Sequence, residues 1–176
     1  MTTFYFIRHG QADFSEANTK IYKENGFNMI TLSEEGKKQI EAASKDVRLQ
    51  KADLIITSPY GRTLHTAAIL SRNLGLEIVV ETDLHEWTAD RVNYTYLSDE
   101  EAQKCYQELT DNKGKHPEGK PCTWESAEQM KARVFEVLKK YMDHEAVIVC
   151  CHGTLMQYVL EIPHPGNGEI VEYTKL

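Results

Sequence analysis

Four short stretches of this chain carry side chains whose chemistry is complementary. Arg8-His9-Gly10 follows directly on an apolar, aromatic-rich run over residues 3–7, and His152-Gly153 follows another over residues 146–151. Both runs read as buried strands. In open α/β sheets ligands bind at the carboxyl edge of the strands. Two histidines, each at a strand end and each followed by glycine, therefore predict one site assembled from the two ends of the sequence. Arg62, one turn into a helix that follows Ser58-Pro59, and Glu86, just past a short apolar run, stand at comparable points. Phosphoryl transfer without a metal needs a nucleophile, cationic donors for the equatorial oxygens and an acid for the leaving oxygen. His9 can attack phosphorus as a neutral imidazole. Arg8 and Arg62 can clamp oxygens with planar guanidinium forks, and a protonated His152 adds a third cationic donor. Glu86 can protonate the departing alkoxide and then take a proton from the attacking water.

The elements that must position these residues alternate in an α/β manner. Strands are predicted over 3–7, 53–57, 77–80, 146–151 and 169–173. Residues 11–32 are polar and broken up by Gly26 and several Asn. Ser33 reads as a helix N-cap, with Glu34 and Glu35 in the favourable first turn; Ile40, Ala43 and Val47 follow at helical spacing. Ser58-Pro59 opens a second helix, with Pro in its first turn, and Gly75 closes it. Residues 99–109 suit a short helix and 111–122 a turn-rich surface loop. Ser126 with Gln129 forms a capping box ahead of a helix burying Met130, Val134, Val137, Leu138 and Tyr141. A short apolar helix spans 154–160, and the Pro163–Gly168 turn separates it from the last strand.

Composition bounds the partners. With 176 residues the chain has room for one domain with a sizeable core. A net charge of -7, from 20 Lys+Arg against 27 Asp+Glu, argues against nucleic-acid binding. It leaves room for an anionic substrate in a pocket where a few arginines reverse the local sign. The four cysteines form no C-x-x-C pair; Cys150 and Cys151 read as small buried hydrophobes in a reducing compartment. No stretch has the length of a membrane span, and the N-terminus has no signal-peptide pattern. The terminal Thr174-Lys175-Leu176 is too loose a match to a peroxisomal address to carry weight. The expected setting is cytoplasmic, with no membrane contact.

Arg8-His9-Gly10, Ser58-Pro59-Tyr60-Gly61-Arg62-Thr63 with Thr66-Ala67, Leu84-His85-Glu86 and Cys151-His152-Gly153 together resemble the histidine phosphatase, or phosphoglycerate-mutase-like, superfamily; Leu32-Ser33-Glu34-Glu35-Gly36 matches a further segment. The resemblance runs in order over nearly the whole chain. It implies a three-layer α/β/α fold around a mostly parallel six-stranded sheet. It also implies a phosphohistidine intermediate on His9, a phosphate pocket of Arg8, Arg62 and His152, Glu86 as general acid, and no metal or cofactor. Gln11 stands where relatives carry Glu or Gln and is expected at the entrance, binding substrate. Two departures are evident. Asn18 lies too far beyond the first motif to align with the relatives' phosphate-touching Asn and is left unassigned. Asn28-Met29-Ile30-Thr31 stands where relatives carry an Asp.

The resulting expectation is a single domain over 1–176 with 88–123 as a short cap. Its activity would be metal-independent hydrolysis of a small phosphorylated metabolite or a phosphoprotein. A phosphoglycerate mutase, a phosphohistidine protein phosphatase and a non-catalytic phosphate-binding module are the alternatives; the oligomeric state is unassigned. Trp87, Tyr94 and Tyr96 form either an aromatic wall over substrate or the cap's own core, and Asp90 is a second candidate acid. His65 faces the pocket or is taken up by solvent or packing. His85 is expected to diverge from Glu86. His116, His144 and His164 have no metal-ligand spacing and read as surface residues.

Overall fold

The computed structural model describes residues 1–174, so Lys175 and Leu176 of the terminal tripeptide lie outside the described residues. The strands are β1 (Thr3–Arg8), β2 (Leu54–Thr57), β3 (Ile78–Val80), β4 (Ala146–Cys151) and β5 (Ile170–Tyr173). The α-helices are α1 (Glu34–Ala43), α2 (Gly61–Leu74), α3 (Asp99–Asp111), α4 (Ala127–Lys139) and α5 (Gly153–Leu160). The sheet order is β3-β2-β4-β1-β5. β1, β2, β3 and β4 pair in parallel, and β5 runs antiparallel to β1.

The six-stranded sheet implied by the family resemblance is corrected to five mixed strands among the described residues. Segment 88–123 supplies α3 and loops but no strand. The antiparallel edge has a local cause. After α5 the chain returns to the carboxyl end of β1, where Arg8 Nη1 donates to the Pro165 carbonyl and the Gly168 amide donates to the Arg8 carbonyl. Starting from that end, β5 can only run back down the sheet; a parallel addition would need a full crossover.

Period-two alternation along β1 divides the core between the two faces of the sheet. Phe4 and Phe6 pack with Met130, Val134, Leu155 and Val159 of α4 and α5; Tyr5 and Ile7 pack with Ile40, Ala67 and Leu70 of α1 and α2. This makes three layers. Burial of each such large apolar side chain contributes about 1.5–3 kcal/mol. The helix starts match the sequence reading: Ser33 caps α1 at the Gly36 amide, and Ser126 with Gln129 forms the capping box of α4. Gly75 closes α2 at φ 72°, a conformation only glycine adopts freely. Two details differ. α1 ends at Ala43, leaving Val47 in a following 3-10 turn and 79% exposed rather than on a buried helical face. Pro59 precedes α2, whose N-cap is Tyr60. Cys150 and Cys151 are fully buried, as expected of small hydrophobes. Among the described residues no helix is long and apolar enough to cross a membrane.

Candidate active site

Strand register brings the two distant histidines together. Arg8 pairs with Cys151 across β1 and β4, so the next residue on each strand, His9 and His152, emerges side by side. Their rings meet edge to face, 5.4 Å between centroids. Thr57 pairs with Cys150 across β2 and β4, which puts Ser58 beside His152; Ser58 Oγ and His152 Nε2 are 2.8 Å apart. Tyr60 packs against the other side of the His152 ring, at 5.2 Å, and lies under the Arg62 guanidinium, at 4.9 Å. That stacking supports a cation–π contact.

His9 is 7% exposed. Its Nδ1 donates to the Gly10 carbonyl at 2.7 Å, which leaves Nε2 with its lone pair. Burial, reinforced by the nearby Arg62, pushes the His9 pKa down to about 3, so the ring is neutral at physiological pH. His152 is fully buried and its pKa is driven far down by burial and then by Arg62. The condition set on His152 as a cationic donor, that it be protonated, is therefore not met in the free protein. In the free protein His152 offers the N–H of a neutral imidazole, and it becomes cationic only if an anion offsets its desolvation. Burial also lowers the pKa of Arg8 and Arg62, with Glu86 opposing the shift in both.

Three buried polar atoms of this cluster have no protein partner: Arg8 Nε, Arg62 Nη1 and His152 Nδ1. Buried donors are normally satisfied, so the cluster is built to receive an acceptor from outside. Glu86 lies alongside. Its Oε1 accepts from the Trp87 and Leu155 amides, both at 2.9 Å, and its Oε2 from the Thr154 amide at 3.2 Å. The carboxylate thereby caps α5 and is held at the same edge of the sheet.

Two glycines permit this closeness. A Cβ on Gly10 would stand 2.4 Å from the Gly36 carbonyl oxygen of α1. One on Gly153 would stand 2.5 Å from His164 Nε2 and 3.0 Å from Arg8 Nε. The turn after α5 adds further support, since Asn167 Nδ2 donates to the His9 carbonyl at 2.9 Å.

Arg8, His9, Arg62, Glu86 and His152, all named from the sequence, are thus brought together. Gln11 is not in the pocket: it is exposed, its Oε1 accepts from Ser33 Oγ at 3.1 Å, and it pins the start of α1. Asp90 is no spare acid. Thr95 and the amides of Val92, Asn93 and Thr95 saturate it, lowering its pKa to about 2. His65 accepts from the Leu32 amide, away from the cavity. His116 lies on Trp124 and His144 pairs with Asp53. One histidine, His85, departs from the sequence reading. His85 lines the same cavity as Glu86, because its Nδ1 bonds the Glu86 carbonyl at 2.7 Å and turns the ring inward. His164 is exposed, yet its ring lies against Gly153. The only sequence signal for it was its place in a rigid Pro-His-Pro turn after the second His-Gly. A cavity of about 580 Å³ opens in front of Arg62 and Glu86, with Trp87, Tyr94 and Tyr96 in its wall and Asn18 at its edge.

Comparison with known proteins shows the family. The family model described as histidine phosphatase superfamily (branch 1) matches residues 4–164. The chain belongs to this superfamily. Among curated relatives, a protein named "Probable phosphoglycerate mutase GpmB", from Photorhabdus laumondii, is 27% identical over 172 residues, covering 89% of this chain and 75% of the relative. "Putative phosphoserine phosphatase 2" of Hydrogenobacter thermophilus is 27% identical over 164 residues, 91% of this chain and 77% of the relative. A solved mycobacterial glucosyl-3-phosphoglycerate phosphatase complexed with VO3 superposes with a TM-score of 0.68 over 97% of this chain and 91% of that one, at 20% identity. That likeness is one of fold. His9, Arg62, Glu86 and His152 all fall within the stretch matched by the superfamily.

Proposed function

We propose that the protein hydrolyses phosphomonoesters through a phosphohistidine on His9. The observation that carries this reading is the pairing of a neutral His9, its Nδ1 tied to Gly10, with three unpartnered buried donors on Arg8, Arg62 and His152. A binding module has use for the donors but none for a free nucleophilic nitrogen beside them.

The substrate enters as its monoanion and passes its proton to Glu86. His9 Nε2 attacks phosphorus, the P–O bond to the alcohol breaks, and Glu86 returns the proton to the departing oxygen. Arg8, Arg62 and His152 hold the equatorial oxygens, whose charge is spread most widely in the transition state. Water then attacks the phosphohistidine, Glu86 takes its proton and passes it to the product, and orthophosphate leaves as its monoanion with His9 neutral and Glu86 ionised again. The reaction calls on no metal. Segment 88–123 acts as a cap within a single domain, and the free cysteines suit a reducing cytoplasm.

The test is hydrolysis of p-nitrophenyl phosphate in excess chelator, wild type beside His9→Ala. Turnover that disappears in the variant supports the reading; turnover surviving in the variant refutes His9 as nucleophile. A mutase differs in the second step alone, so release of phosphate to water, rather than return to an alcohol acceptor, separates the two.

A further inference from the structure

The cavity in front of Arg62 and Glu86 constrains the alcohol that departs. At about 580 Å³ it has room for a ring beyond the phosphoryl group. Its walls are aromatic: Phe27, Tyr60, Trp87, Tyr94 and Tyr96 all line it. Tyr94 is 58% and Tyr96 40% exposed, so their faces are not spent on a core of their own. Trp87, by contrast, is anchored, with its ring edge-on to Tyr106 at 5.6 Å and its Nε1 donating to the Glu125 carbonyl at 2.8 Å.

The charge of the lining is one-sided. Arg62 is the one Lys or Arg that lines the cavity among the described residues, against Glu24, Asp83, Glu86, Asp90 and Asp99. Glu86 is engaged by backbone amides and Asp90 by Thr95 and its own loop. Glu24, Asp83 and Asp99 are exposed at the rim. Arg62 is only 6% exposed, with its free Nη1 committed to the phosphoryl group, so no cation is left to receive a second anionic group on the substrate.

We propose that the substrate is an aromatic phosphomonoester, neutral or cationic beyond its phosphate, and that esters whose alcohol carries a carboxylate or a second phosphate are excluded. Aromatic walls reward a flat ring and, with rim carboxylates, a cationic one. The same carboxylates repel an anion that has no partner. The proposal rests on the phosphatase reading of the same site.

The experiment compares kcat/KM for benzyl phosphate, n-propyl phosphate and 3-phosphoglycerate. Their alcohols are similarly poor leaving groups, so the differences read binding in the transition state. Benzyl phosphate is expected to exceed n-propyl phosphate by about tenfold, and 3-phosphoglycerate to fall below n-propyl phosphate by a similar factor. Tyr94→Ala with Tyr96→Ala should collapse the benzyl-to-propyl ratio. Glu24→Gln with Asp83→Asn and Asp99→Asn should raise the rate on 3-phosphoglycerate. A 3-phosphoglycerate rate equal to the benzyl rate, or a benzyl-to-propyl ratio near one, overturns the proposal. Should no ester turn over, the phosphatase reading fails, and calorimetry with benzylphosphonate and phosphonoacetate still reads the cavity. Tighter binding of benzylphosphonate upholds the proposal; equal or tighter binding of phosphonoacetate, or binding of neither, overturns it.

Discussion

At the scale of single residues, the site depends on what each side chain lacks. His9 is deprived of a proton by burial and by Arg62, and its Nδ1 is occupied by Gly10. What remains is one lone pair aimed away from the backbone. His9→Ala should therefore remove turnover while the protein still melts cooperatively, read by thermal unfolding beside the assay. Glu86 is held by three backbone amides, so Glu86→Gln keeps the shape but cannot shuttle a proton. We expect it to slow alkyl esters, which need the acid, by about 10²-fold or more. It should slow p-nitrophenyl phosphate far less in the phosphorylation step, measured as a pre-steady-state burst. Equal losses on both esters would count against the acid role. These residues were legible in the sequence because each stands at a strand end or a helix start. Gln11 and Asp90 stand at similar points but are captured by Ser33 and by Thr95, partners that no spacing rule reveals.

At the scale of elements, the start of α5 is the crowded point. Glu86 caps it, Gly153 opens it, and Arg8 and His164 close over Gly153. Gly153→Ala forces a methyl to within 2.5 Å of His164 Nε2 and 3.0 Å of Arg8 Nε. His164 is exposed and free to swing aside, whereas Arg8 is tied to the Pro165 carbonyl. The expected result is a loss of about 1–3 kcal/mol in stability from overpacking, with a fall in kcat/KM. Adding His164→Gly should recover little of either, because the methyl still meets Arg8; full recovery would place the clash on His164 instead. A second element-scale support is the buried pair of Glu125 with Arg133 on α4. Glu125 is 0% exposed, and its oxygens accept from Arg133 Nε at 2.6 Å and Nη2 at 2.9 Å. Arg133→Met leaves the buried carboxylate to the longer contact with Arg91 Nε at 4.0 Å, at a cost of about 3 kcal/mol, lowering Tm by about 10 °C. Because the Glu125 carbonyl holds Trp87, the same variant should loosen the cavity wall and raise KM for a ring-bearing ester.

At the scale of the whole molecule, acid sensitivity follows from the buried histidines. The His9 pKa falls from the ordinary 6.5 to about 3 on folding, and His152 and His85 move in the same direction. Between those two pH values the unfolded chain binds more protons than the folded one, so stability rises with pH and levels off above the unfolded value. Asp90 has the same sign in a lower window, from 3.8 to about 2. Urea unfolding midpoints should therefore climb from pH 4 towards pH 6.5, on the order of the span these shifts define. Saturating orthophosphate should shift the acid limb downwards by making protonated His152 favourable. A flat profile over that range would contradict the neutral state assigned to the histidines.

The sequence by itself determined most of the elements and the residues proposed for catalysis. Strand runs, capping boxes and the closing Gly75 are written in local patterns, and Arg8, His9, Arg62, Glu86 and His152 sit at the ends of those patterns. Tertiary structure alone decided what depends on which strands pair. The β1–β4 register sets His9 against His152, and the return of the chain to Arg8 makes β5 antiparallel and leaves five strands. It also decided protonation, since the neutral states of His9 and His152 come from burial that a linear sequence does not specify. The cavity belongs to the same class. Tyr94 and Tyr96 line the void, 58% and 40% exposed, with the Tyr94 ring edge-on to His85 at 6.4 Å. Long-range packing governs where an aromatic side chain is spent, and local spacing carries no record of it.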